Sequence, residues 1–333
     1  MILSFSNLKG GVGKTHITIL ATLALVKRGY KVLIKDFDPQ GTLSEVVFGW
    51  QRLVEFQKSL ISKYHFLDLG YKLTWLALER DEFERYISEG VLEDIIKTVE
   101  TPLGSFDVFP TFPKTYADAF KLLEMSKVGG MDFLRDFLHY MTTKYDFIIF
   151  DLPPQPIPPT RVALKLIDVI IPPVLYGHES TVRPVQLLLT EAFFNDDIVL
   201  FRNYMGKYAP IVLGTIINMV TKKQVDDNYR LKPGLPFLKK LSWAMADVYN
   251  IWKKYAESNR REYKEYLHPS RYVRLIKSPY LREVPIFMYS GFKRIPTLKN
   301  YIYALHSELP YQMEVLDRLV SILEECREEV GVL

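Results

Sequence analysis

"SFSNLKGGVGKTHI", residues 4–17, decides how the rest of the chain is read. Gly10, Gly11 and Gly13 let the backbone curl so that successive N–H groups face one anion. Lys14 adds a point charge, and the Thr15 hydroxyl can hold a magnesium ion. A short apolar run over 2–5 precedes the glycines, and "THITILATLALVKRGY" after them has the length and composition of a buried helix ending at Gly29. Strand, glycine loop and helix in that order predict a nucleotide phosphate site. A merely structural glycine turn would not need Gly-Lys-Thr at this junction. The ordinary pattern G-x-x-x-x-G-K-T asks for glycine at position 8, where this chain has Leu8 followed by Lys9.

Working outward, "KVLIKDFDPQG" supplies a second strand over 32–34, with Asp36 and Asp38 at its end before Pro39 and Gly41 break it. From residue 51 to about 100 the pattern is mostly helical and charged, with Trp75, Leu76 and Leu78 as packing anchors. "FDVFPTF" predicts a short strand over 106–109, and "YDFIIFDLPP" a strand buried on both faces. "DVIIPPV" and "IVLGTIINMV" read as two more. The expected fold is α/β: a doubly wound, mostly parallel sheet with helices on both faces and ligands beyond the carboxyl ends of the strands. The Pro-rich "DLPPQPIPPT" reads as a rigid loop, so residues 1–333 are expected to form a single domain.

The formal charge is only +4, but its distribution is uneven. Residues 222–277 hold 14 Lys and Arg against 6 Asp and Glu, a local +8 that leaves −4 on the remainder. Residues 222–270 are expected to be a basic, largely helical insertion. There Leu238, Leu241, Met245, Val248, Trp252 and Tyr255 recur at helical spacing among Lys239, Lys240, Lys253 and Lys254. The single cysteine, Cys326, excludes an internal disulfide and a Cys-based zinc site. No stretch approaches a membrane span and the start has no cleavable apolar leader, so a cytoplasmic, reduced setting is expected.

"KGGVGKT", with a second lysine at its head, resembles the deviant phosphate loop of the ParA/MinD superfamily, in which two protomers sandwich ATP. The resemblance implies a deviant P-loop NTPase using ATP and Mg2+, with Lys9 acting across a homodimer and Lys14 within its own site. Lys9, Gly10, Gly11, Val12, Gly13, Lys14, Thr15 and His16 would bind the nucleotide. "DFDPQG" resembles the family segment in which the second carboxylate orients the attacking water, which assigns that role to Asp38 and metal support to Asp36. "YDFIIFDLPP" resembles the Walker B strand, so that Thr15, Asp36, Asp38 and Asp151 form the metal set. Lys9, Lys14 and Asp38 are then the catalytic residues. Asn218, in "INMV", is either an adenine reader or a strand-end turn former. His16 departs from the family, which commonly has a second threonine there, and residues 222–270 are longer and more basic than in its small members.

Within the superfamily, one cysteine cannot ligate the cluster of a nitrogenase iron protein. A MinD-like membrane helix should be basic, whereas "YQMEVLDRLVSILEECREEV" carries six acids against two arginines. Its Val315, Leu316, Leu319, Val320 and Leu323 instead predict a packing helix over 309–330. The remaining resemblance is to ParA in a short form without an N-terminal helix-turn-helix domain. It implies a nucleoid-associated ATPase whose ATP dimer binds double-stranded DNA non-specifically and is released by a ParB-type partner. Candidate DNA contacts are Lys253, Lys254, Arg260, Arg261, Arg271, Arg274 and Lys277, against the alternative of a solvated helical face. Trp243, Trp252, Tyr255, Tyr263 and Tyr266 fit core packing better than base stacking. The competing function is a MinD-like or cargo-positioning ATPase that leaves DNA untouched, and a metabolic ligase on the same scaffold ranks below both.

Overall fold

In the computed structural model, the described residues are 1–64, 84–85, 87–112, 131–220, 283–287, 297–308 and 310–331, with isolated positions between 223 and 254. Three strands whose side chains are all buried form the centre: β1 (Ile2–Ser4), β2 (Val32–Asp36) and β5 (Phe147–Asp151). Burial on both faces requires helices above and below, which explains why these strands read as continuous apolar runs. One cover is helix α1 (Lys14–Lys27), in which every residue from Ile17 to Val26 is buried.

A seven-stranded sheet runs β3-β4-β2-β5-β1-β6-β8, with β3 (Lys97–Thr101), β4 (Gly104–Phe109), β6 (Val169–Ile170) and β8 (Ile211–Val212). All its pairings are parallel except β3 with β4. A second, three-stranded parallel sheet runs β10-β9-β7, with β7 (Pro173–Leu175), β9 (Thr215–Val220) and β10 (Glu283–Phe287). The runs "DVIIPPV" and "IVLGTIINMV" are therefore each two strands, one per sheet. The break has a local cause: Pro172 and Pro173 have no N–H for the ladder, and Gly214 turns the partner run at φ +85°.

Helices α2 (Thr42–Phe48), α3 (Trp50–Tyr64) and α4 (Val91–Ile95) follow β2. The helical reading up to residue 100 is corrected at β3, whose half-buried and exposed residues alternate along a hairpin edge. Gly104 makes that hairpin possible: at φ +137°, a Cβ there would lie 2.8 Å from the Val26 carbonyl oxygen. Trp75, Leu76 and Leu78 lie outside the described residues. Helix α5 (Met131–Lys144) leads into β5, α6 (Pro158–Leu166) into β6, and α7 (Val182–Phe194) with α8 (Asp196–Tyr204) into β8.

The chain closes with α9 (Leu298–Tyr303), one π-helical turn and α10 (Pro310–Gly331). Val315, Leu316, Leu319, Val320 and Leu323 of α10 are all buried. At its rim, Glu324 accepts hydrogen bonds from Arg28 at 2.8 Å and from Tyr30 at 2.9 Å, which ties α10 to the end of α1.

Candidate nucleotide site

The carboxyl ends of β2, β5 and β1 lie side by side, so the phosphate loop after β1 meets the acids that end its neighbours. Asn7, which sequence reasoning passed over, sets the loop's entry. It is buried; its amide donates to the carbonyls of Pro173 at 2.7 Å and Thr181 at 3.1 Å, while its Oδ1 accepts the Lys9 N–H at 2.9 Å. Lys9, Gly10 and Gly11 are exposed beyond it, and Val12 turns inward to full burial.

Gly13 caps α1 at φ +90°, and an added Cβ there would stand 2.1 Å from Asn218 Nδ2. Glycine is required on both counts. Asn218 is buried at the end of β9 and donates to the Val12 carbonyl at 2.9 Å, and its Oδ1 accepts the Met219 N–H at 2.8 Å. Met219 holds the left-handed conformation, φ +62°, that this clasp demands. One end of the Asn218 amide thus holds the loop and the other its own strand. Lys14 is buried and donates to the Lys9 carbonyl at 3.2 Å. Burial pushes its ammonium below the usual lysine range, partly offset by Asp151 and Asp38.

Thr15 Oγ1 donates to Asp151 Oδ2 at 2.7 Å, and Asp151 stands directly across from Asp36 in the β2–β5 ladder. Asp36 is buried with both oxygens occupied: Oδ1 accepts the Asp38 N–H at 3.0 Å, and Oδ2 accepts the Ser44 N–H at 3.0 Å and its hydroxyl at 2.7 Å. It folds the 38–44 turn around itself. Burial raises its carboxyl to about 6, with Asp38 adding to the rise against the Ser44 hydrogen bonds. Asp38 is raised by burial against the Gln40 N–H and Lys14. Asp151 is raised well above the carboxylate range, by burial first and Asp36 next.

Asp151 Oδ1 is buried without a hydrogen-bond partner, a costly arrangement that a cation would relieve. A hydroxyl and a carboxylate are the hard oxygen donors that suit magnesium, which ordinarily completes its shell with phosphate oxygens and water. No set of three His, Cys, Asp or Glu side chains among the described residues could cage a metal unaided. The residues present therefore fit a magnesium ion that arrives with a nucleotide.

His16, the departure from the expected threonine, is half-buried beside this cluster. Its Nδ1 and the Tyr301 hydroxyl share a hydrogen bond of 3.2 Å, and burial lowers the imidazole to about 4, leaving it neutral at pH 7. Tyr301 and Ser44 have no local motif; each reaches the site through the fold.

Of the DNA candidates, Lys254 is exposed on a helical position, while Lys253, Arg260, Arg261, Arg271, Arg274 and Lys277 lie outside the described residues. Trp243 corrects the packing expectation, being 72% exposed. It shares helical spacing with the exposed Lys240, Asp247, Ile251 and Lys254, while Leu238, Leu241, Met245, Val248 and Tyr255 of the apolar stripe lie outside the described residues. Trp252, Tyr255, Tyr263 and Tyr266 lie outside the described residues.

The AAA domain family model matches residues 1–191, and the chain belongs to that family, within the ParA/MinD superfamily of P-loop NTPases. A ParA family protein of Mycoplasma pneumoniae is 27% identical over 229 residues, 68% of this chain and 74% of that one. Several other curated relatives, among them an uncharacterized protein of Methanocaldococcus jannaschii, are matched over only about half of their length. Among solved structures, pNOB8 ParA bound to nonspecific DNA aligns with a TM-score of 0.59 at 17% identity, over 97% of this chain and 98% of that one. The ATP complex of Cyanothece McdA(D38A) aligns at 0.51 and 17% identity, over 97% and 96%. At these identities the two structures speak for the fold. Among the described residues, no helix is long and apolar enough to cross a membrane.

Proposed function

We propose that this chain is an ATP-dependent DNA-partitioning switch. The reading rests on one observation above the others: Thr15 and Asp151 present hydroxyl and carboxylate oxygens, one of them buried without a partner, beside a glycine loop that carries Lys14. Lys14 and the loop N–H groups hold the phosphates of ATP. Thr15 and Asp151 hold Mg2+, which supplies charge stabilisation at the phosphates when bound, and Asp36 fixes the turn that carries Asp38. Asp38 orients the attacking water.

Lys9 supports the dimeric form of this reading. Its backbone serves its own loop through Asn7 and Lys14, whereas its side chain is exposed and has no hydrogen bond or ion pair to the described residues. An exposed cation at the mouth of the site supports a role at a partner's nucleotide, where developing negative charge needs it. The ATP dimer then binds duplex DNA without sequence preference, through the basic insertion over 222–270 and the candidates Lys253, Lys254, Arg260, Arg261, Arg271, Arg274 and Lys277. A ParB-type protein stimulates hydrolysis and release, and the working location is the nucleoid. The local +8 over 222–277 supports the DNA step.

The test is retention on a non-specific duplex with ATP, ADP or no nucleotide across a salt series. ATP-only binding that falls with salt and is lost in Lys14→Ala is the expected result. ATP-driven dimers that ignore DNA would replace this reading with cargo positioning, and a chain that binds no nucleotide would overturn both.

A further inference from the structure

The carboxyl-terminal unit touches α1 at both ends. Near the end of the helix, Arg28 bonds Glu324 at 2.8 Å and the Asp317 carbonyl at 3.0 Å, and Lys27 faces Asp317 at 3.7 Å. At the phosphate-loop end the contact is Tyr301 on His16. Tyr301 is fully buried on α9, a short helix started by a capping box between Thr297 and Asn300, so its ring has a fixed origin. The two rings lie 5.2 Å apart, tilted by 40°. His16 is the third residue of α1, in the turn that follows Gly13 and carries Lys14 and Thr15. Its side chain leaves towards Gly13 and Asn218, with Cβ 3.9 Å from where a Gly13 Cβ would stand.

We infer that Tyr301 is a positioning residue of the nucleotide site that acts through His16. Its hydroxyl sets the imidazole, and with it the first turn of α1, in the arrangement that receives phosphate. The same contact makes nucleotide binding and the docking of α9 and α10 stabilise one another. Such coupling is reciprocal: what α9 and α10 give to the affinity for nucleotide, nucleotide returns to their docking. Residues more than 280 positions apart in sequence thereby answer to one ligand.

This inference rests on the nucleotide reading above, and its test separates the two. Binding of a fluorescent ATP analogue with Mg2+ is titrated for the wild-type chain, Tyr301→Phe, His16→Ala and the double variant. Amide hydrogen exchange over 310–331 is followed with and without the analogue. One neutral hydrogen bond is worth about two- to tenfold. Tyr301→Phe should weaken binding by that factor, add nothing in the His16→Ala background, and abolish the nucleotide-induced protection of α10. Unchanged affinity in Tyr301→Phe, or two losses that multiply in the double variant, would overturn the inference and leave the nucleotide site standing. A Tyr301→Phe protein that only unfolds more easily, with normal affinity, would reduce Tyr301 to a packing residue. Failure of the wild-type chain itself to bind the analogue would overturn the nucleotide reading and this inference with it.

Discussion

Gly13→Ala tests the loop's construction most directly, because its cost has two separable parts. The first is backbone: at φ +90° and ψ 25°, a side chain meets its own carbonyl, which costs about 1–2 kcal/mol. The second is the neighbour. A methyl 2.1 Å from Asn218 Nδ2 forces that amide away and breaks its 2.9 Å bond to the buried Val12 carbonyl, for about 1–3 kcal/mol more. Asn218→Ala alone loses the same bond. In the double variant the clash is gone, so adding Gly13→Ala to Asn218→Ala should cost only the backbone part. Urea unfolding midpoints of the four proteins at constant m-value would then give a coupling energy of about 1–3 kcal/mol between the two sites. Strict additivity would refute the reasoning, since it would mean that Asn218 does not press on Gly13.

Asp151→Asn should stabilise the unliganded chain at pH 7 while abolishing magnesium-dependent nucleotide binding. The Asp151 carboxyl is raised in the fold, so above the unfolded value of 3.8 the unfolded chain gives up a proton that the native chain keeps, stability falls, and the advantage of Asn should grow from pH 4 to pH 7 in unfolding curves. Lys35→Met should show the opposite trend. Lys35 is buried between the Phe37 and Phe109 rings with its ammonium lowered to about 7 by burial, so wild-type stability recovers between about pH 7 and 10.5, and the gain from Met shrinks there by up to about 5 kcal/mol. Lys9→Ala should leave nucleotide affinity within about twofold, a surface-scale effect, while preventing the ATP-dependent dimer in light scattering.

The parts of the site that were legible in the sequence are those carried by short spacing. Glycines three and four residues from Lys14 and Thr15, and carboxylates closing apolar strands, need no tertiary information. Asn7, Ser44 and Tyr301 were illegible because an ordinary polar residue acquires its role only from what the sheet brings against it: Pro173 for Asn7, Thr111 for Ser44, His16 for Tyr301. Asn218 shows the intermediate case. Its position at a strand end could be read, but its engagement with Val12 depends on parallel crossovers that join residues 206 positions apart. The same holds for the fold. Buried strands announced themselves by composition, whereas β3, edge-exposed and rich in charge and threonine, looked helical until its hairpin partner was known. For Trp243, helical spacing with other aromatic residues did not reveal that its own side chain is exposed.

Asp168 and Asp151 show two ways in which this fold holds an acid. Asp168 would be raised by burial alone, yet it lies below the usual carboxylate range because Lys207 sits 2.9 Å away and the Ile2 N–H donates to it at 2.8 Å. Every demand of its charge is met within the chain, and it anchors the start of β1. Asp151 is more deeply buried, its one hydrogen bond comes from a neutral hydroxyl and Asp36 stands across the ladder from it, so its shift runs the other way. Lys14, the cation best placed to compensate it, is itself pushed down by burial and spends a donor on the Lys9 carbonyl. The chain therefore holds acids and a lysine in one place without letting them neutralise one another. On the proposed reading, a magnesium nucleotide would supply both charges at once, the cation for Asp151 and the polyanion for Lys14. Its binding free energy would then be in part the relief of that arrangement, and occupancy of the loop would stabilise what packs on α1.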